Sequence, residues 1–160
     1  MAFSVGDTVV HPHHGPGRIV GIERKELMDG TKRYYVIEIP DQSLTVQVPV
    51  RTIDKVGVRP AMPPSRLPKV LHTLRSRPRR LPDDYKERQE QIDEKLSPRR
   101  AKLMARIVRD LSWHRKRAHL TKNDPELLKQ GRAMLAAEIA LVSGDDVSEA
   151  SDLIDANMPD

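Results

Sequence analysis

Three histidines in four residues, His11, His13 and His14, form the first cluster in this chain whose type and spacing could do chemistry. Side chains alternate across a strand, so His11 and His13 would share one side. Transition-metal sites usually take three or four ligands. No carboxylate or cysteine completes that set nearby in sequence. The other reading is a turn whose imidazoles bond backbone groups, and no metal site and no cofactor is expected. Nothing in the chain matches a Walker-type phosphate loop, HExxH or Gly-x-Ser-x-Gly. Gly15-x-Gly17 is too short for a dinucleotide fingerprint, and no carboxylates are marked out as a catalytic pair. The residues do not point to an enzyme.

The cations are the second chemical feature. Residues 64–122 carry 18 Lys+Arg against 7 Asp+Glu, a net of +11. Residues 1–63 are nearly neutral, with 8 against 7, and residues 123–160 are acidic, with 2 against 9. A basic block of this kind is the footprint of a polyanion binder, set against a merely solvated surface. Within it, Ser97-Pro98 starts a long helix, with Ser as N-cap and Pro in the first turn. The helix is expected to reach about Ala118. At about 100° per residue, Arg99, Lys102, Arg106, Arg109, Trp113, Lys116 and Arg117 share one stripe, opposite Met104 and Val108. Arg and Lys neutralise phosphates, and an indole stacks on or wedges against a base. Tryptophan is usually largely buried, however, so Trp113 is expected to pack on a neighbouring helix and be mainly structural.

The elements that hold these residues fall into two groups. Gly6-Asp7 leads into a strand at Thr8 to Val10, and His14-Gly15-Pro16-Gly17 is read as the turn into the next strand, from Arg18 to about Leu27. Gly21 suggests a bulge. Asp29-Gly30 suits a type I′ hairpin turn. Lys32 to Ile39 follows, with Tyr35, Ile37 and Ile39 on one face, then Ser43 to Pro49, with Leu44, Val46 and Val48 inward and Thr45 and Gln47 outward. Val56 to Val58 reads as a short closing strand. The expected fold is a small all-β antiparallel barrel or curled sheet over residues 1–60, followed by an all-α bundle of about five helices over residues 64–160. The linker is Ala61-Met62-Pro63-Pro64. The helices are Ser65 to Arg75, a polar helix from Asp83 or Asp84 to Leu96, the long basic helix, one from Asp124-Pro125 to about Val142, and a last one capped by Asp146. In that last helix Val147, Ala150, Leu153 and Ile154 are expected inward. At 38% hydrophobic and 3% aromatic residues, the cores are aliphatic and modest. There is no cysteine, which suits a reducing cytoplasm. The N-terminus is neither basic nor followed by a long apolar run, so no signal peptide and no membrane association is expected.

Val5-Gly6-Asp7-Thr8-Val9-Val10, Pro12, His13-His14-Gly15, Leu44-Thr45-Val46, Val48-Pro49 and Val56-Gly57-Val58-Arg59, with Val108-Arg109-Asp110-Leu111 far downstream, resemble the CarD family of bacterial RNA polymerase-binding transcription regulators. The matches lie in order through both halves of the chain. The resemblance implies that the all-β part is a Tudor/SH3-like barrel that docks on the RNA polymerase β subunit, and that the helical part contacts promoter DNA at the upstream edge of the transcription bubble and stabilises the open complex. The barrel module is shared with the transcription-repair coupling factor. An exposed edge strand can join a partner's sheet. Arg24, Lys25, Glu26, Thr45 and Gln47 are therefore the candidate polymerase-binding residues. Tyr85 stands at the position of the family's wedge tryptophan and is expected to serve as the wedge. Lys86, Arg88, Arg77, Arg79, Arg80, Lys122 and Arg132 are the candidate DNA contacts. Gln47 replaces a family arginine, Glu87 and Glu90 stand where some members carry basic contacts, and Pro125 replaces a lysine. A cytoplasmic, nucleoid-associated regulator is expected. The competing readings are a polymerase-docking module without a DNA wedge and a ribosomal-type RNA-binding barrel.

Overall fold

The computed structural model describes residues 2–79, 101–117 and 124–159. The chain divides into two compact units, Met1–Ala61 and Met62–Asp160.

The first unit is all-β apart from short helical turns. Strands β1 (Thr8–His11), β2 (Gly15–Leu27), β3 (Gly30–Ile39), β4 (Leu44–Pro49) and β5 (Arg59–Pro60) form one antiparallel sheet in the order β4-β3-β2-β1-β5. The period-2 patterns decide what goes inside. Tyr35, Ile37 and Ile39 from β3 and Val48 from β4 are buried, together with Phe3, Val9, Ile19, Ile53 and Val58. The Tyr35 hydroxyl accepts from the Phe3 N–H at 3.0 Å, so the one wholly buried phenol is satisfied and the N-terminus is tied down. The expected bulge is present: register shifts between Ile19 and Gly21, leaving Val20 as the extra residue.

Three local expectations were displaced. The first turn is Pro12 to His14 rather than 14–17, because Gly15 already pairs with His11 and Gly17 with Val9. Gly17 serves a close approach instead: a Cβ there would collide with the Glu38 carbonyl oxygen and with Ile39 Cδ1. The hairpin after β2 turns through Met28 and Asp29, with Gly30 paired to Leu27. Only Gly30 of these has positive φ (119°), so the turn is not type I′, which needs positive φ at both central residues. In place of a closing strand at Val56 to Val58 comes a single helical turn, α1 (Ile53–Val56). Gly57 ends it at φ 96°, and the sheet is closed one step later by Arg59–Pro60.

The second unit is all-α among the described residues: α2 (Leu67–Arg75), α3 (Ala101–Arg117), α4 (Asp124–Ser143) and α5 (Val147–Asn157). The polar helix expected from Asp83 or Asp84 to Leu96, and the Ser97-Pro98 cap, lie outside the described residues. α3 packs on α2 and α4, and α5 packs on α4 and α2. The core holds Val70 and Leu74 of α2, Met104, Ile107, Val108 and Leu111 of α3, Leu135 and Ile139 of α4, and Ala150 and Ile154 of α5. These are the apolar stripes read from the 3.6-residue period. The linker is less free than its prolines suggested. Met62 is buried in the helical core, and its N–H donates to the Glu138 carboxylate at 2.8 Å. Asp146 caps α5 by accepting from the Glu149 N–H at 2.7 Å. Val147 is not inward but 36% exposed, at the first position after that cap.

Candidate protein and nucleic-acid interfaces

Among the described residues β4 is a sheet edge, with β3 as its one neighbour. Residues opposite one another in an antiparallel ladder share a face. Thr45 lies opposite Glu38 and Gln47 opposite Val36, and across β3 these lead to Arg18 and Gly21 of β2. The extra residue Val20 then decides the rest of β2. With it, Glu23 and Lys25 fall on the face of Gln47; a register shifted by one residue would turn them away. Two contacts fix the arrangement. Gln47 Nε2 donates to Glu23 Oε2 at 2.9 Å, reaching across β3, and Lys25 Nζ sits 5.2 Å from the centroid of Tyr34. Lys25, Thr45 and Gln47 thus belong to one exposed surface beside a free edge. Arg24 and Glu26, equally exposed, alternate to the opposite side of the ribbon.

The histidine cluster is a turn device. His11 is buried, and its Nδ1 accepts from the N–H groups of His13 at 3.1 Å and His14 at 3.3 Å. Burial, reinforced by the neighbouring His14 and His13 imidazoles, lowers the His11 pKa from 6.5 to about 4. Its ring is therefore a neutral acceptor that holds two turn N–H groups. Among the described residues no group of three or more His, Cys, Asp or Glu is placed to hold a metal ion.

In the helical unit the basic stripe of α3 is not one uniform surface. Lys102 and Lys116 are exposed, Arg106 and Trp113 half-buried, and Arg109 buried. Arg99 and the side chain of Arg117 lie outside the described residues. Arg109 is committed internally: Nε bonds Asp110 Oδ1 at 2.9 Å, and a terminal nitrogen donates to the Thr73 carbonyl oxygen at 3.2 Å. The same Asp110 oxygen accepts from the Arg79 N–H at 3.0 Å. A buried acid thus pins the segment that follows α2, and Arg77 and Arg79 leave it as exposed side chains. They line a groove of about 720 Å³ between α2 and α3, shared with Lys69, Lys102 and Arg106. Arg132 stands elsewhere, on α4. It pairs with Asp155 at 2.6 Å and donates to the Ser151 hydroxyl at 3.1 Å, so its charge is already partnered. Trp113, expected to pack into a neighbouring helix, forms part of the wall of a depression of about 170 Å³. Tyr85, Lys86, Arg88, Arg80 and Lys122 lie outside the described residues.

Sequence reasoning missed Asp110 and Glu138 as organising groups. The signal was there in each case. Asp110 is the one acid between Glu94 and Asp124, set in the apolar stripe Ile107-Val108-Arg109-Asp110-Leu111. Glu138 is a lone carboxylate in Ala136-Ala137-Glu138-Ile139-Ala140 and is fully buried. A charge inside an apolar run is buried only with partners.

Comparison with known proteins covers both units. A family model described as CarD-like/TRCF RID domain matches residues 3–62, and one described as CarD, C-terminal domain matches residues 69–155. A Bacillus subtilis (strain 168) protein named "Putative transcription factor YdeB" is 29% identical over 144 residues, covering 89% of this chain and 93% of that protein. The solution NMR structure of the 72-residue N-terminal domain of Myxococcus xanthus CarD is similar at 29% identity, over 36% of this chain and 77% of that one, with a TM-score of 0.32.

Proposed function

This chain belongs to the CarD family, which supports a role as a transcription regulator, and from that premise we propose that it bridges RNA polymerase and promoter DNA. In this reading the β-unit docks on the polymerase β subunit through the free edge of β4 and the surface of Lys25, Thr45 and Gln47, with Arg24 and Glu26 on the flank. Main-chain pairing along the edge supplies affinity, and the polar ladder on the outer face supplies register and partner choice. The helical unit meets DNA near the upstream edge of the bubble. Tyr85 serves as the wedge, and Lys86, Arg88, Arg77, Arg79, Arg80, Lys122 and Arg132 are the candidate phosphate contacts. Arg132 must share its charge with Asp155.

One observation carries the reading: both family models match in order on one chain, the first over the unit with the free strand edge, the second over the unit with the basic groove. The test is the full chain with Lys25→Glu and Gln47→Glu together. Both residues are outside the buried core, so the fold should be kept. Binding to the isolated β lobe should weaken about tenfold or more, roughly 1.4 kcal/mol, and open complexes should shorten in parallel. Unchanged binding would place the docking surface elsewhere.

A further inference from the structure

We propose that the helical unit carries a track for single-stranded nucleic acid along α3, with Trp113 in its wall. The inference rests on the nucleic-acid reading above but assigns a strand, a path and residues that the reading does not.

Three depressions lie side by side on this unit. Lys102, Arg106 and Arg109 line the groove of about 720 Å³, and Arg109 also lines the depression of about 170 Å³ that holds Trp113 and Lys116. Arg115 and Arg132 lie in the walls of both that depression and a third, of about 520 Å³, which adds Lys129. Each shares a lining residue with the next, so the three adjoin along α3, with the buried Arg109 at the step between the first two. The steps 102, 106, 109, 113 and 116 are the i, i+4, i+7 spacing of one helical stripe. Among the described residues the one carboxylate in the three walls is Asp155, which is paired to Arg132. The path from Lys102 to Arg115 is about 20 Å long, at about 1.5 Å per residue.

The aromatic ring selects the strand: a single strand offers unstacked base faces to an indole, whereas a duplex keeps its bases stacked inside. A basic groove with an aromatic ring set in it is the arrangement that binds single strands without reading sequence, since every base has a face to stack. An acidic peptide would use the cations but leave the indole idle, and a bilayer surface would not enter the groove.

The experiment uses the full chain and its single tryptophan. Oligo-dT of about twelve nucleotides, the matching oligo-U and an unrelated duplex are titrated at several salt concentrations, with anisotropy and tryptophan emission read together. Both single strands should bind and quench Trp113, with dT against U telling whether the natural strand is DNA or RNA. Lys102→Gln with Arg106→Gln should weaken binding at least tenfold and flatten the log–log salt slope by about 1.4, at roughly 0.7 per lost phosphate contact. Asp155→Asn should tighten binding severalfold. Lys69→Gln, on α2, is the second variant should the pair on α3 lower the melting temperature. The proposal is overturned if single strands bind without quenching, if the charge variants leave affinity and slope unchanged, or if the duplex binds and the single strands do not. That last result leaves the promoter reading standing; failure of all three probes removes both.

Discussion

Asp110→Ala should cost the helical unit about 3 kcal/mol. Asp110 is 1% exposed and its Oδ1 takes two hydrogen bonds, from Arg109 Nε at 2.9 Å and from the Arg79 N–H at 3.0 Å. A hydrogen bond to a charged group contributes about 1.5–3 kcal/mol, so two losses sum to roughly 3–6 kcal/mol. Arg109 would also be left buried without its counter-charge, and breaking a buried pair from one side costs about 3–5 kcal/mol, a figure that overlaps the first rather than adding to it. Against this, Asp110 Oδ2 is buried with no hydrogen-bond partner among the described residues. Removing it relieves about 1–3 kcal/mol of desolvation. The balance, about 3 kcal/mol, lowers the melting temperature of a unit this size by roughly 12–24 °C. The assay is thermal melting of the full chain followed by far-UV circular dichroism at 222 nm, where the helices dominate. Arg109→Met combined with Asp110→Ala should recover much of the loss, because no lone charge stays inside. An Asp110→Ala variant that melts within about 3 °C of the parent, or a double variant worse than the single one, would refute this balance.

Gly17→Ala should destabilise the β-unit by about 2–3 kcal/mol, at the upper end of overpacking costs, since the obstacle is the Glu38 backbone rather than a flexible side chain; urea titration checks it, and an unchanged midpoint would mean that β2 and β3 can move apart freely. His11 gives a pH signature. Its folded pKa is lowered from 6.5 to about 4, so the unfolded chain takes up a proton first as pH falls. The stabilisation is complete above pH 6.5 and is lost progressively between 6.5 and about 4, by up to about 3 kcal/mol. Urea unfolding at pH 7.5 and pH 5 should show the drop, and His11→Gln should shrink it; an identical pH dependence in that variant would assign the titration to other groups.

The cores were legible because period carries burial directly. Tyr35, Ile37 and Ile39 announce a strand face, and Met104, Ile107, Val108 and Leu111 a helix face, whatever lies opposite. The turns were misjudged because glycine has two uses. At Gly17 it permits a backbone approach from β3, a non-local neighbour that sequence spacing does not reveal, while the turn itself is held by the His11 imidazole. The basic stripe of α3 was legible as a stripe but not as a surface. Helical spacing places Arg109 in line with Lys102 and Trp113, yet only the packing of α2 against α3 makes it an internal group. For the proposed docking surface, the alternation at Thr45 and Gln47 was readable, whereas the side of Lys25 depended on one inserted residue, Val20.

The bond from the Met62 N–H to Glu138 has a mechanical meaning. In the bridging role proposed above, the chain would be loaded along its own backbone, and the load would enter the helical unit where its chain begins. Without an anchor there, tension would first lift Met62 and then peel α2 turn by turn from its N-terminal end, a sequence of small failures. With it, the pull passes through one N–H into a carboxylate about three quarters of the way along α4, in a stretch where Leu135 to Ala140 is buried without interruption. Force is then spread over the packing of α4 against α3 and α5 together. The unit should resist as a single body in shear, and yield abruptly rather than unzip.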